Sequence, residues 1–153
     1  GVFAGSGPDD ENAHVFHPSI VELMSSVFSK IIAGELPGRF VYRDDSVVAF
    51  LTIEPFTPGH TLVVPVEEVD KWTDLSPELW AHLNEVAQKV GRAVMDVTGT
   101  ERAAYMIAGF EVPHTHIHVF GANGMDEITA PPMPSLDDAA MDDLAARLAE
   151  ALG

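Results

Sequence analysis

The sequence predicts an α+β domain built on a predominantly antiparallel sheet, and three observations carry that prediction. Five short segments rich in β-branched and aromatic residues read as strands: Phe40 to Tyr42, Val47 to Leu51, Thr61 to Pro65, Ala104 to Ala108 and Val112 to Phe120. The links at Asp44-Asp45 and at Gly109-Phe110-Glu111 are too short for a parallel crossover. Two longer stretches have helical periodicity, so an antiparallel sheet with helices gathered on one face follows.

Each element has its own signals. Val27 to Ala33 is a short apolar helix ended by Gly34 and Pro37. Thr52 to His60 holds Pro55, Pro58 and Gly59 and is a loop, whereas Thr61 to Pro65 is nearly continuous in apolar character, as a buried strand should be. Ser76, Pro77 and Glu78 form a helix start with a hydroxyl cap, proline at the first position and an acid near the positive dipole end. Leu79, Leu83, Val86, Val90 and Val94 give that helix one inner face, and Gly99 ends it. Trp72 and Trp80 read as packing residues. Pro131, Pro132 and Pro134 make an extended loop, followed by a last amphipathic helix from a Ser135 cap to Leu152, with Met141, Leu144 and Leu148 on its apolar side.

Composition narrows the function. A chain of 153 residues, 46% hydrophobic, builds one core. With 24 acids against 8 bases and a net charge of -16, it lacks the clustered cations that binding nucleic acid or an anionic membrane requires. No cysteine is present, which removes disulfides, thiolate metal sites and a thiol nucleophile. No apolar run approaches the ~18 residues of a membrane span and no signal-like segment is visible, so a cytoplasmic location is expected. Residues 1–23 read as an N-terminal arm or an added extension, with His14 and His17 as tail residues and Met24 a candidate start site; 24–125 read as the domain proper, and 126–153 as a loop and helix packed on it. The central segment carries 13 acids against 7 bases, so most of the net charge lies outside it.

The chemistry concentrates in His114-Thr115-His116-Ile117-His118-Val119-Phe120. Side chains alternate along a strand, so His114, His116 and His118 point one way and Thr115, Ile117 and Val119 the other. A single strand histidine is commonly a hydrogen-bonded structural residue. Three in alternation crowd imidazoles onto one surface at a desolvation cost that a structural role gives little reason to incur. Zinc coordination by His at i and i+2 is one use of such an array. Nucleophilic attack of a neutral imidazole on phosphorus is another. Residue type and flanks favour the second, though spacing alone does not decide.

This run matches the signature His-x-His-x-His-x-x, with x usually hydrophobic, and so resembles the histidine triad (HIT) nucleotide hydrolases. Val27 to Pro37 is similar to the family's N-terminal phenylalanine-containing segment, and Val48 to Ile53, Pro55 and Gly59 to Pro65 are similar to its central strands and intervening loop. The resemblance implies a HIT fold whose sheet continues across a homodimer. It also implies cleavage of a purine nucleotidyl conjugate, a phosphoramidate or related compound, through a nucleotidyl-histidine intermediate and without a cofactor. In that pattern His116 is the nucleophile, His118 contacts the α-phosphate, and His114 helps to orient the nucleophile. Val27, Phe28, Ile31, Phe50 and Ile53 would form the pocket for the base, although ordinary core packing needs the same residue types. A third histidine in place of glutamine resembles the hydrolase branches, with water as final acceptor.

Several positions depart from the pattern. Thr52 stands where many members have an acid for the ribose hydroxyls, Ala108 where an asparagine is usual, and Glu111 close to a common phosphate-binding hydroxyl; an ionised Glu111 pointing inward would repel phosphate. Ala108 and Glu111 make a second reading credible, a nucleotide- or metal-binding protein of the same fold with little hydrolysis. Some bacterial members bind zinc through Cys-x-x-Cys and a further histidine, where this chain has Ser26, Ser29 and Glu68; no metal site is expected. His60 then reads as a structural loop residue and His82 as a surface residue.

Overall fold

The Ser26 hydroxyl accepts a hydrogen bond from the Ser29 amide and so caps a short helix, α1 (Val27–Ile32). The computed structural model describes residues 25–153; the expected arm, Met24, His14 and His17 lie outside the described residues. Five strands follow: β1 (Phe40–Arg43), β2 (Val47–Leu51), β3 (Thr61–Pro65), β4 (Arg102–Met106) and β5 (Ile117–Ala122). They pair antiparallel throughout in the order β1-β2-β3-β5-β4. Helix α2 (Pro77–Thr98) carries the chain from β3 past the place of β5 to the edge strand β4, and β5 then returns between them. Helices α3 (Met125–Thr129) and α4 (Asp138–Leu152) complete the order.

The expected signals of α2 are borne out. Ser76 accepts from the Leu79 amide, Pro77 opens the helix, and Gly99 ends it at φ 70°, a left-handed conformation that glycine adopts without penalty. Leu83, Val86, Val90 and Val94 are fully buried. The β1–β2 turn forms around Asp44, whose Oδ1 accepts from the amides of Ser46 and Val47 at 2.8 Å each. His82 was expected at the surface, but it is half-buried and its Nε2 donates to Asp44 Oδ2 at 2.7 Å, tying α2 to this turn. Burial works against the charged carboxyl, but hydrogen bonds from Tyr42, Ser46, His82 and Val47 hold Asp44 well below the usual carboxylate range.

Alternation sorts the sheet into two faces. Val47, Ala49 and Leu51 of β2 join Val63, Ile117 and Val119 in one apolar cluster with α2 and α4. Val48, Phe50, Leu62 and Val64 face the other way and meet Phe28 of α1, with Ile31, Ile32, Phe40 and Val112 packed against them. The helices are therefore not all on one face: α1 covers the second, because Phe28 supplies the apolar surface that the even-numbered residues of β2 need.

The main departures from the expected boundaries lie in β4, β5 and the last helix. β4 runs two residues earlier than Ala104 to Ala108, and β5 begins at Ile117, not Val112, so the link between them spans residues 107–116. Within that link the His114 amide bonds Val112 O and the Thr115 amide bonds Val69 O, outside the ladder. Asp137, not Ser135, caps α4, its carboxylate accepting from the Ala140 amide at 2.8 Å, while Ser135 lies outside the helix and bonds the Leu136 carbonyl.

Candidate active site

Of the three alternating histidines only His118 belongs to the regular ladder, where it pairs with Leu62 and Met106. His114 and His116 precede it, yet all three rings lie on the α1 face. The His116 and His118 centroids are 5.0 Å apart, and Phe28 stands edge-on to His116 at 4.8 Å and tilted to His114 at 5.9 Å. The intervening Ile117 and Val119 enter the opposite core, and the Thr115 hydroxyl donates to Val69 O at 2.8 Å. The alternation that the sequence predicts thus holds beyond the strand that was expected to enforce it.

A fourth imidazole completes the row. His60, expected as a plain loop residue, is buried, and its Nε2 lies 3.0 Å from Nδ1 of His118. Its ring is stacked on Phe56 at 5.4 Å and tilted against Phe120 at 4.9 Å. Gly59, at φ 89°, turns the loop just before it.

The partners assign a tautomer to each ring. The Phe56 amide donates to His60 Nδ1 at 2.9 Å, so the His60 proton sits on Nε2 and is donated to His118 Nδ1. His118 therefore carries its own proton on Nε2, which has no hydrogen-bond partner among the described residues. His116 is the reverse: Nδ1–H donates to the His114 carbonyl at 2.8 Å, leaving a lone pair on Nε2. His114 donates from Nε2 to the Pro65 carbonyl at 2.7 Å and accepts at Nδ1 from the Ser26 hydroxyl at 2.7 Å. An acceptor nitrogen and a donor nitrogen, neither with a partner among the described residues, thus stand on adjacent rings.

Electrostatics keep the row neutral. Burial pushes His60 down to about 3, with the neighbouring His118 adding to it, and His118 down to about 4, with His116 adding to it. His114 and His116 also fall below the ordinary imidazole value through burial, opposed at His116 by its bond to the His114 carbonyl and by the Glu111 charge.

The residues expected around a nucleotide divide into two groups. Phe28 and Phe50 are buried edge to face at 5.6 Å, with Ile31 packed on them, so they form a real apolar cluster beside the triad. Val27 and Ile53 are exposed, Ile53 to 71%, and do not join it, because Ile53 lies in the loop after β2 ends. The Thr52 hydroxyl accepts from the Glu54 amide at 3.2 Å. Glu111 is exposed on the link before His114, and its charge reaches His116.

Ser26, Ser29, Glu68 and His114 do come together. Glu68 Oε1 accepts from the Ser26 amide at 2.9 Å and the Ser29 hydroxyl at 2.7 Å. This donor set does not fit zinc: serine hydroxyls are poor ligands beside thiolates, and here each is engaged by a neighbour. Among the described residues no group of three or more His, Asp or Glu side chains could hold a metal ion.

The site is therefore a row of imidazoles at the start of an inner strand of an antiparallel five-stranded sheet. Residues 33–125 match the HIT domain, and the chain belongs to that family. A HIT-like protein of Mycobacterium tuberculosis is 36% identical over 111 residues, covering 69% of this chain and 77% of the relative. Among solved structures, a zinc-bound histidine triad family protein of Mycobacterium smegmatis is 30% identical with a TM-score of 0.72, covering 84% of this chain and 94% of that one. A hypothetical histidine triad nucleotide-binding protein of Sulfolobus tokodaii is 25% identical with a TM-score of 0.72, covering 82% and 90%.

Proposed function

We propose that this protein is a nucleotide hydrolase that cleaves a purine nucleotidyl conjugate, a phosphoramidate or a related compound, through a nucleotidyl-histidine intermediate. One observation carries the reading: His116 offers a lone pair at Nε2 next to a His118 that offers a proton at Nε2. The His116 lone pair forms the N–P bond as the bond to the leaving group breaks. His118 Nε2–H is placed to donate a hydrogen bond to the departing amine nitrogen, which takes its proton from solvent, so the neutral imidazole keeps its own. Water then attacks phosphorus, the N–P bond to His116 breaks, and the water proton passes to solvent. His114 meets no substrate and acts on the nucleophile alone. Depressed basicity keeps His116 neutral through the physiological range, as a nucleophile must be.

The apolar cluster of Phe28, Ile31 and Phe50 is the candidate wall for the base, with Val27 and Ile53 standing outside it, and Thr52 is the candidate hydroxyl for the ribose. Glu111, whose charge reaches His116, favours a leaving group that carries no further negative charge. The printed description of the Sulfolobus neighbour as nucleotide-binding supports the ligand class. Residues 24–125 would form the functional domain and 126–153 a structural addition. Among the described residues no helix is long and apolar enough to cross a membrane, which accords with a cytoplasmic enzyme.

Adenosine 5′-phosphoramidate tests the activity. Turnover to AMP, with an adenylate on His116 found by mass spectrometry of the quenched protein, is the expected result. Tight nucleotide binding without turnover would favour the binding-protein alternative. A homodimer through β4 belongs to the same reading: that strand is one of the two sheet edges, with Tyr105 and Met106 exposed on it, and an edge left open invites pairing. Sedimentation equilibrium should give twice the chain mass.

A further inference from the structure

His114 is fully buried and both of its ring nitrogens are engaged by protein, so the first imidazole of the row cannot touch a substrate. Its surroundings explain why it is there. The Pro65 carbonyl can only accept, which places the His114 proton on Nε2 and makes Nδ1 an acceptor. Two hydroxyls are within reach of Nδ1, Ser26 at 2.7 Å and Ser29 at 3.5 Å. Glu68 decides between them: its Oε1 takes the Ser29 proton at 2.7 Å and the Ser26 amide at 2.9 Å, leaving the Ser26 hydroxyl proton for His114. That hydroxyl also accepts from the Ser29 amide at 3.0 Å, so one side chain caps α1 and satisfies the imidazole.

We propose that Ser26, oriented by Glu68, is a positioning residue for the His116 nucleophile. Holding the His114 ring between Ser26 and Pro65 fixes the residue that bears the carbonyl, and this carbonyl takes the Nδ1 proton of His116 at 2.8 Å. His116 is thereby left with its lone pair on Nε2. The same cap sets the start of α1, whose Phe28 stands edge-on to the His116 ring at 4.8 Å. Ser26 thus acts on both the tautomer and the wall of the nucleophile without contacting substrate. The proposal rests on the reading of His116 as nucleophile.

Three substitutions separate the roles of the hydroxyl. Ser26→Ala removes cap and donor, Ser26→Asp keeps an acceptor for the Ser29 amide but has no proton for His114, and Ser26→Thr keeps both. With adenosine 5′-phosphoramidate, kcat should fall about tenfold in Ser26→Ala and Ser26→Asp while KM stays within about twofold, and Ser26→Thr should restore most of kcat. Nitrogen NMR of the imidazoles in the substrate-free protein should show His114 unprotonated at Nδ1 and His116 protonated at Nδ1, with the His116 signal broadened or moved in Ser26→Asp. Wild-type kcat in Ser26→Asp, or His116 ring signals unchanged by it, overturns the proposal. If the wild-type protein cleaves no phosphoramidate, the hydrolase reading fails by itself, and the ring spectra decide alone whether Ser26 sets the state of His116.

Discussion

The two faces of the sheet are built from alternate residues of the same strands, yet they solve burial in different ways. Toward α2 and α4 the interior is aliphatic: Leu83, Val86, Val90, Val94, Ile117, Val119 and Leu148 have no polar atom to satisfy. Toward α1 the aromatic patch of Phe28 and Phe50 gives way within a few ångströms to four imidazoles, each held by at least one directed hydrogen bond. An aliphatic face tolerates imprecision, since dispersion and hydrophobic burial are non-directional. The imidazole face does not, because a single lost partner changes a tautomer and leaves a buried nitrogen unpaired. One register thus separates stability from chemistry, and substitutions on the two sides should behave differently.

The largest contrast is between His116 and Leu83. Replacing His116 by Ala removes the proposed attacking atom, and kcat should fall by a factor of at least about a thousand, measured on protein whose circular dichroism remains that of the wild type. Residual turnover within tenfold of wild type would place the nucleophile elsewhere. Leu83→Ala empties a fully buried site against the sheet and should lower unfolding free energy by about 3 kcal/mol in urea titration, while kcat per folded molecule is kept. A large loss of kcat there would mean that the faces are coupled through the strands.

His60 gives the next effect. Phe at this position fills the ring space between Phe56 and Phe120 but offers no proton to His118, so the His118 tautomer is no longer set. A decrease in kcat of about ten- to a hundredfold is expected, with smaller change in stability. The same ring contributes to acid sensitivity. The folded values of about 3 for His60 and about 4 for His118 lie below the unfolded value of 6.5, so the unfolded chain binds more protons across that interval. Stability from these rings is complete above about pH 6.5 and is lost as the pH falls toward the folded values. The melting temperature should therefore drop between pH 6.5 and about 4.5, above the range where carboxylates add their own losses, and it should drop less steeply in His60→Phe.

What could be read from the sequence follows the range of the forces involved. β2, β3 and the caps of α2 come from residues a few positions apart, and they were legible with their boundaries. The alternation of His114, His116 and His118 was legible too, because a period of two survives even where the ladder has not begun. The start of β5 was not, since the amide of Thr115 bonds the Val69 carbonyl, and no local pattern announces a partner from a distant loop. His60 was missed for a related reason. The pairing of Leu62 with His118 brings the residue before Thr61 next to the triad, so its role depends on a register set by tertiary packing. Ser26, Ser29 and Glu68 were noticed only as replacements; that they meet at His114 required the chain to be folded.

The smallest effect compares two helix caps on opposite faces. Asp137 caps α4 through its bond to the Ala140 amide, on the aliphatic side, and touches nothing in the row of imidazoles. Asp137→Ala should cost about 1 kcal/mol in denaturant titration and leave kcat unchanged, whereas Ser135→Ala, at the position that the sequence favoured, should cost nothing measurable. Ser26 is a cap of the same kind on the other face, but its hydroxyl has a second partner in His114. If loss of either cap lowered only stability, the division between the faces would be one of location alone. If Asp137→Ala affects stability and Ser26→Ala affects both stability and turnover, the α1 cap belongs to the chemistry, because the same oxygen that starts the helix also sets the imidazole.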